Sequence, residues 1–494
     1  MKKYLIIFFV TIFAIGCSDD WLTLYPTNAI ADDQAIETVA DGRVAMNGVY
    51  VRLRNYQLYG RNMFVCADVG CEDVILRTDN SNRYNNEYYN SLRPGDTQPS
   101  GEMWIYAYSG IKRANEVIQR LSPVTPEPGQ TEEGKNHIIG EAYFVRALLH
   151  YDLVKFFAQA YNFTNDASHL GVPYIVESTM ECNHPRLTVK ECFENIVADA
   201  EEALKLMDTE KPSVPYTAGK NAVNALLARV YLYMACTNDG ASFAKAAEYA
   251  EKVIAGGYAI VNKDDYKITG SNTSFDSPKM WGAAYTSESI FVLPSSSTER
   301  NYTNSIGNIY LDKNKGYGDL KPSEQLVALF DDNDSRKTVL YEYDNAWCNR
   351  KFMGDGRTAF DISNLNIFRL SEMYLIAAEG NAKASAPDAT KALGFLNTLK
   401  TNRGLAEVNL SGQALTNEIV LERRRELCFE GHALTDHKRL NTPIVRTPDK
   451  INPGNQNYGL EYYHQDPKLN KYFAMPIPDK ELSTNELMIQ NPEY

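Results

Sequence analysis

The sequence is short of basic charge, of tryptophan, of closely paired cysteines and, after its first 16 residues, of long apolar runs. Each shortage excludes a class of function. Fifty lysines and arginines against 63 acidic residues leave a formal net charge of −13. Such a body repels phosphate backbones, which argues against nucleic acid as a partner. No segment beyond the leader reaches the roughly twenty apolar residues that a transmembrane helix takes. No Cys-x-x-Cys occurs, so the usual signature of a structural zinc site is missing. Gly-rich phosphate loops and the Gly-x-Ser-x-Gly elbow are missing too. Of the eight cysteines, the seven beyond Cys17 are an odd number, so at least one is free or paired between molecules. Cys236 and Cys428 lie in apolar helical contexts and read as small core residues. Cys66 with Cys71, and Cys182 with Cys192, could each close a short loop.

One residue type is in excess. There are 32 tyrosines against 19 phenylalanines and 4 tryptophans. Tyrosine has a flat apolar face and a polar edge, which suits wet interfaces and stacking on sugar rings.

The front end has its own chemistry. Lys2 and Lys3 precede an apolar stretch from Tyr4 to Ile15, too short to span a bilayer and shaped like a cleaved secretory leader. Ala14, Ile15 and Gly16 lead straight into Cys17, an arrangement that resembles the bacterial lipobox. The resemblance implies a signal peptide over residues 1–16 and a mature chain over 17–494 that carries acyl chains on Cys17. Asp19 and Asp20 resemble the surface-export signal of Bacteroidetes lipoproteins. The expectation is a body anchored to the outer membrane and facing the cell exterior.

Helical periodicity dominates the mature chain. In "GEAYFVRALLHYDLVKFF", Ala142, Val145, Leu149, Leu153 and Phe156 form one apolar stripe. Tyr143, Ala147, His150, Val154 and Phe157 form a second beside it, as in a helix packed between neighbours. His150 therefore reads as a core histidine. Further helices are predicted near Met103–Leu121, Val189–Met207, Ala218–Ala235, Phe243–Ala255, Ile367–Ala384, Ala389–Thr401 and Asn417–Glu430. Several come as pairs that resemble tetratricopeptide units, which bury their faces by stacking. The fold class expected is mainly α, with helical pairs in one large domain and little strand.

Two stretches break this pattern. Arg77–Ser100 and Lys263–Lys321 are rich in Ser, Asn, Gly and Tyr, and within them only Ser289–Leu293 reads as a strand. Long irregular segments inside a compact domain are usually functional.

The charged constellations read as structure. Glu422 and Glu426 flank Arg423, Arg424 and Arg425, one helical turn apart. Arginines so placed keep both carboxylates ionised, which removes the acid a glycosidase needs. An ion-paired helix is expected, with no catalytic residue. His432, Asp436 and His437 lack a third histidine, so no metal site is assigned, and no cofactor.

Seven ordered stretches resemble the SusD/RagB family of glycan-binding surface lipoproteins. They are "DDWLTLYPTNAI", "GEAYFVRALLHYDLVKFFAQAYN" followed by "LGVPYI", "RLTVKECFENIVADAEEAL", "LFDDNDSR", "IFRLSEMYLIAAEGNAK", "ERRRELCFEGHALTDHKRL" and "YFAMPIPDKELSTNELMIQNPEY". Two details depart from the family pattern. Ala433, Leu434 and Thr435 stand where Arg-Trp-Phe is usual, and Glu493 stands where glycine is usual. The resemblance implies a largely helical fold with TPR-like units and a non-enzymatic role. Its partners would be a SusC-like TonB-dependent transporter, a glycan and, through the lipid, the outer membrane. It also implies that ligand is met by loops near the two irregular stretches. On that basis the candidate ligand-binding residues are Arg83, Tyr84, Asn86, Tyr88 and Tyr89 in the first, Trp281, Tyr285, Tyr302 and Tyr317 in the second, and Trp347 nearby. The alternatives are a lid lipoprotein of the same fold that receives peptide or another nutrient, and a surface glycan-acting enzyme.

Overall fold

The computed structural model describes residues 35–494 apart from 180–182, 237–238, 269, 272–273, 276–278, 283–284, 355–360 and 453–472. Cys17 and the leader lie outside the described residues. The first half holds helices α1 (Val39–Arg54), α2 (Asn62–Asp68), α3 (Asn85–Tyr88), α4 (Glu102–Leu121), α5 (Glu132–Phe157), α6 (Val189–Leu206), α7 (Lys220–Met234) and α8 (Gly240–Ile254). The second half adds α9 (Leu370–Lys383), α10 (Ala389–Asn402), α11 (Gly412–Leu427) and α12 (Ala433–Leu440). Short strands β1 (Val74–Leu76), β2 (Ser289–Leu293), β3 (Leu320–Pro322), β4 (Leu340–Tyr343), β5 (Ala346–Asn349) and β6 (Leu365–Arg369) pair only two by two.

Local chemistry sets the helix starts. Thr38 with Asp41, and Thr188 with Glu191, form capping boxes at α1 and α6. Thr131, Asp239 and Asp388 cap α5, α8 and α10 by accepting backbone N–H bonds. Helices then pack in sequence order, α4 on α5, α5 on α6, α6 on α7 and α7 on α8, with α9 laid on α8 and carrying α10 and α11. This is the TPR-like stacking that the paired helices predict. Gly380 makes the α8–α9 contact: a Cβ there would sit 2.7 Å from the Phe243 carbonyl oxygen.

The two stripes of α5 explain its position at the centre. His150 is fully buried between them. Its Nε2 accepts the Ile175 N–H at 3.0 Å, so its Nδ1 carries the proton and donates to the Arg146 carbonyl at 2.9 Å. Burial holds it neutral, with a pKa near about 3. Phe144 stands edge-on to Phe291 of β2 at 5.3 Å and so ties the helical layer to the β2–β6 pair.

Several expectations are corrected. The helix predicted from Ile367 begins at Leu370, because residues Leu365–Arg369 pair antiparallel with β2. Cys66, Cys71 and Cys192 are buried free thiols rather than disulfide partners. Cys71 Sγ lies 3.6 Å from the Ala67 carbonyl, and Cys192 Sγ donates to the Val172 carbonyl at 3.4 Å. Cys182 falls outside the described residues. Glu493 adopts φ of 73°, which accounts for the preference for glycine at that place and leaves this chain with local backbone strain.

The charged run of α11 is structural, as its sequence implies. Glu426 is fully buried and accepts from Arg403, Arg369 and Arg336 at 2.5–3.0 Å. Glu430 takes Arg369 and Lys351, and Glu288 takes Arg403. Burial alone would raise the Glu426 pKa. The three guanidinium groups outweigh it and hold the carboxylate well below the ordinary range.

Candidate functional site

The two irregular stretches meet. Strand β1 pairs antiparallel with β3, Val74 opposite Pro322 and Leu76 opposite Leu320. The first loop therefore leaves at Arg77 where the second arrives at Asp319, and the Arg77 N–H donates to the Asp319 carbonyl at 2.9 Å. Ser81 N–H donates to Asp319 Oδ1 at 3.0 Å, and Asp79 takes both Arg77 and Lys313. Above this seam the Arg83 guanidinium lies 3.8 Å over the Tyr317 ring. A hydrogen bond from Arg83, and then its charge, lower the Tyr317 phenol pKa. Tyr302 is 57% exposed, sits in the left-handed backbone region and stacks under Arg300 at 4.5 Å.

Beside and beneath this surface lie residues that the loop reading of the sequence missed. Arg61, just before α2, stacks on Tyr56 at 4.7 Å and donates to Asn304 Oδ1 at 3.2 Å. Arg52 at the end of α1 stacks on Tyr106 of α4 at 4.7 Å. Tyr56 lies in the electrostatic range of Arg61, Arg83, Tyr106 and Glu102 at once, which joins the two halves into one patch. The arrangement offers ring faces with guanidinium and amide edges.

Other candidates fall elsewhere. Trp281 is 1% exposed, lies 4.6 Å below Lys351 Nζ and edges Phe352, so it lids the buried ion network and has no free face. Tyr84 and Tyr88 are also core: Tyr84 donates to Asn62 Oδ1 at 2.8 Å, and Arg446 covers Tyr88 at 3.9 Å. These three are corrected from ligand contacts to packing residues, because tertiary partners cover their rings. Asn86 donates to Asp96 Oδ2 at 3.0 Å and ties the loop to itself. Tyr89 is half-buried and edges Tyr88 at 5.1 Å. Tyr285 is exposed but stands edge-on to Tyr216, away from the patch contacts. Trp347 is half-buried on β5, in the hairpin whose Tyr343 accepts from Asn314 beside the second loop.

Within the first loop, on α3, Glu87 is buried with Oε1 unpartnered, and burial pushes its pKa up to about 8. The folded chain thus holds a proton that the unfolded chain releases between the ordinary value of 4.5 and about 8. Stability falls as pH rises through that window. Glu87→Gln removes this titration, so its stability advantage over the parent should grow across the window and level off above it, to a few kcal/mol at most. Urea denaturation at a series of pH values measures this, and parallel curves for the two proteins would contradict it. Asp68, raised by burial to about 7, contributes equally to both.

Comparison with known proteins adds the family. Residues 31–232 match a SusD-like family model described as starch-binding and associating with the outer membrane, and residues 342–494 match the SusD family model. The SusD-like protein P2 of Formosa agariphila is 26% identical, with all of both chains covered. A SusD superfamily protein of Bacteroides thetaiotaomicron superimposes with a TM-score of 0.80 at 26% identity, covering 92% of this chain and 100% of that one. A structure described as a "putative sugar binding protein" from Bacteroides vulgatus gives 0.79 at 26% identity, covering 93% and 99%. With matched models at both ends, relatives across its length and the same helical stacking, the chain belongs to the SusD/RagB family.

Proposed function

We propose that this chain is a non-catalytic cell-surface lipoprotein that captures glycan and delivers it to a SusC-like TonB-dependent transporter in the outer membrane. The observation that carries the reading is the seam of β1 and β3. It brings together two loops far apart in sequence and crowns them with Arg83 on Tyr317, beside Tyr302. Stacking of sugar faces on tyrosine rings, with guanidinium and amide groups bonding hydroxyls, is what such a surface can do. The sugar-binding description of the Bacteroides vulgatus neighbour supports the same ligand class. Glu422 and Glu426 of α11 are locked in ion pairs that hold them ionised, with no proton to lend to hydrolysis. Anchoring through acyl chains on Cys17 fits a chain in which, among the described residues, no helix is long and apolar enough to cross a membrane. Each buried CH₂ of an acyl chain contributes about 0.8 kcal/mol to membrane attachment.

Two measurements test the reading. Calorimetric titration of the mature chain with oligosaccharides should give saturable binding without release of shortened products. Cys17→Ala should leave the membrane fraction or remain unprocessed, and unchanged acyl labelling of that variant would remove the anchor. A chain that binds peptides and no glycan would replace glycan capture with the peptide-lid role.

A further inference from the structure

The charge of the patch singles out a class of glycan. The chain as a whole is acidic, and most of its arginines are neutralised: Arg54 by Glu299, Arg77 by Asp79, Arg300 by Asp361, and those around α11 by buried glutamates. Three arginines at the candidate site are different. Arg52, Arg61 and Arg83 make no ion pair among the described residues. Each is stacked instead on a tyrosine, Tyr106, Tyr56 and Tyr317. Arg61 is only 5% exposed, and its hydrogen bonds go to neutral groups, the amides of Asn62 and Asn304 and the Tyr84 phenol. A guanidinium taken this far out of water is normally matched by a carboxylate, because the unpaired charge is costly to bury. Arg83 bonds Ser81 Oγ through Nη1 at 3.0 Å and also bonds the Tyr317 hydroxyl, two contacts for a group with five N–H donors. The carboxylates that approach the patch form no ion pair with these three arginines. Asp319 holds Ser81, and Glu102 accepts from Gln98 at 2.9 Å, its own pKa raised by burial.

We infer that this surface selects acidic glycans, with Arg83 and Arg52 bonding a carboxylate or sulfate ester on the sugar while the stacked tyrosines take the ring faces. The inference rests on the glycan-capture reading above and narrows it. A neutral glycan would leave Arg52 and Arg83 without an ion-pair partner. An anionic substituent supplies one, and the planar fork of arginine matches both carboxylate and sulfate geometry.

The test is a set of matched pairs titrated calorimetrically against the mature chain at low and high salt: dextran against dextran sulfate, and neutral galactan against polygalacturonate. The acidic member of one pair should bind about tenfold tighter or more at low salt, and the gap should narrow as salt screens it. Which pair shows the gap distinguishes sulfate from carboxylate. In Arg52→Gln/Arg83→Gln, with both tyrosines intact, the acidic-to-neutral ratio should fall several-fold. Equal affinities within both pairs, or a preference that the double variant keeps, would overturn the inference and leave glycan capture standing. Absence of binding to all four polymers would overturn both.

Discussion

Glu426→Ala should cost about 3–5 kcal/mol of folding stability, the range found when one partner of a buried ion pair is removed. Arg403, Arg369 and Arg336 converge on this carboxylate, and none is more than 2% exposed at its side chain. Without it, three guanidinium groups from three separate parts of the chain would face one another in a medium that screens them poorly. Glu426→Gln keeps the volume and loses the charge, so it should also destabilise, with glycan selectivity unaltered in whatever fraction folds. An exposed pair gives the contrast: Glu248 and Lys252 on α8 are 60% and 49% exposed at their side chains. Glu248→Ala should change stability by well under about 1 kcal/mol. Urea midpoints followed by far-UV circular dichroism compare the two. Near-equal costs would mean that the buried network stabilises no more than a surface pair does. The pH dependence has a definite sign. The depressed Glu426 pKa gives stability that is present above the ordinary glutamate range and lost as pH falls below it.

What could be read from the sequence followed from how local each signal is. The double stripe of α5 and the repeated helix pairs are patterns within twenty-odd residues, and the helices form close to where periodicity places them. The strand at Leu365–Arg369 could not be separated from the following helix by the same means. Its state is set by pairing with β2, and a short apolar run beside a helix looks helical. Trp281 illustrates the same limit at the site. A tryptophan in a polar, glycine-rich stretch looks like a free binding residue, but Lys351, Phe352 and Arg369, all distant in sequence, cover it. The meeting of the two loops depends on β1 and β3, each three residues long, and such pairing has no sequence signature. Tyr56 and Arg61 did have one. The segment "RLRNYQLYGRN" from Arg52 to Asn62, which runs out of the end of α1, is dense in Arg, Tyr and Asn, but it is short, and long loops draw the eye first.

Replacing the half-buried stacked pair should separate binding from folding. Arg83→Ala and Tyr317→Ala each remove one half of a stacked contact, with the guanidinium 3.8 Å from the ring centroid, at the loop seam. Aromatic and cation–π contacts to a ligand are worth on the order of 1 kcal/mol each when packed. Tyr302→Ala with Tyr317→Ala should therefore weaken the best glycan by about tenfold or more, since 1.4 kcal/mol is one decade. Neither tyrosine is fully buried, so the urea midpoint should move little. Trp281→Ala should behave in the opposite way. It opens a large void against Lys351 and Arg369, and such truncations cost about 3–5 kcal/mol in cores. At a temperature where that variant is still folded, its glycan affinity should stay within a few-fold of the parent. A cycle of Arg83→Ala, Tyr317→Ala and the double variant then asks whether the pair acts as a unit, and the double loss should fall short of the two single losses combined. Should Tyr302→Ala/Tyr317→Ala bind as tightly as the parent while Trp281→Ala, still folded, loses ligand, the site would lie over the ion network and not at the seam of β1 and β3.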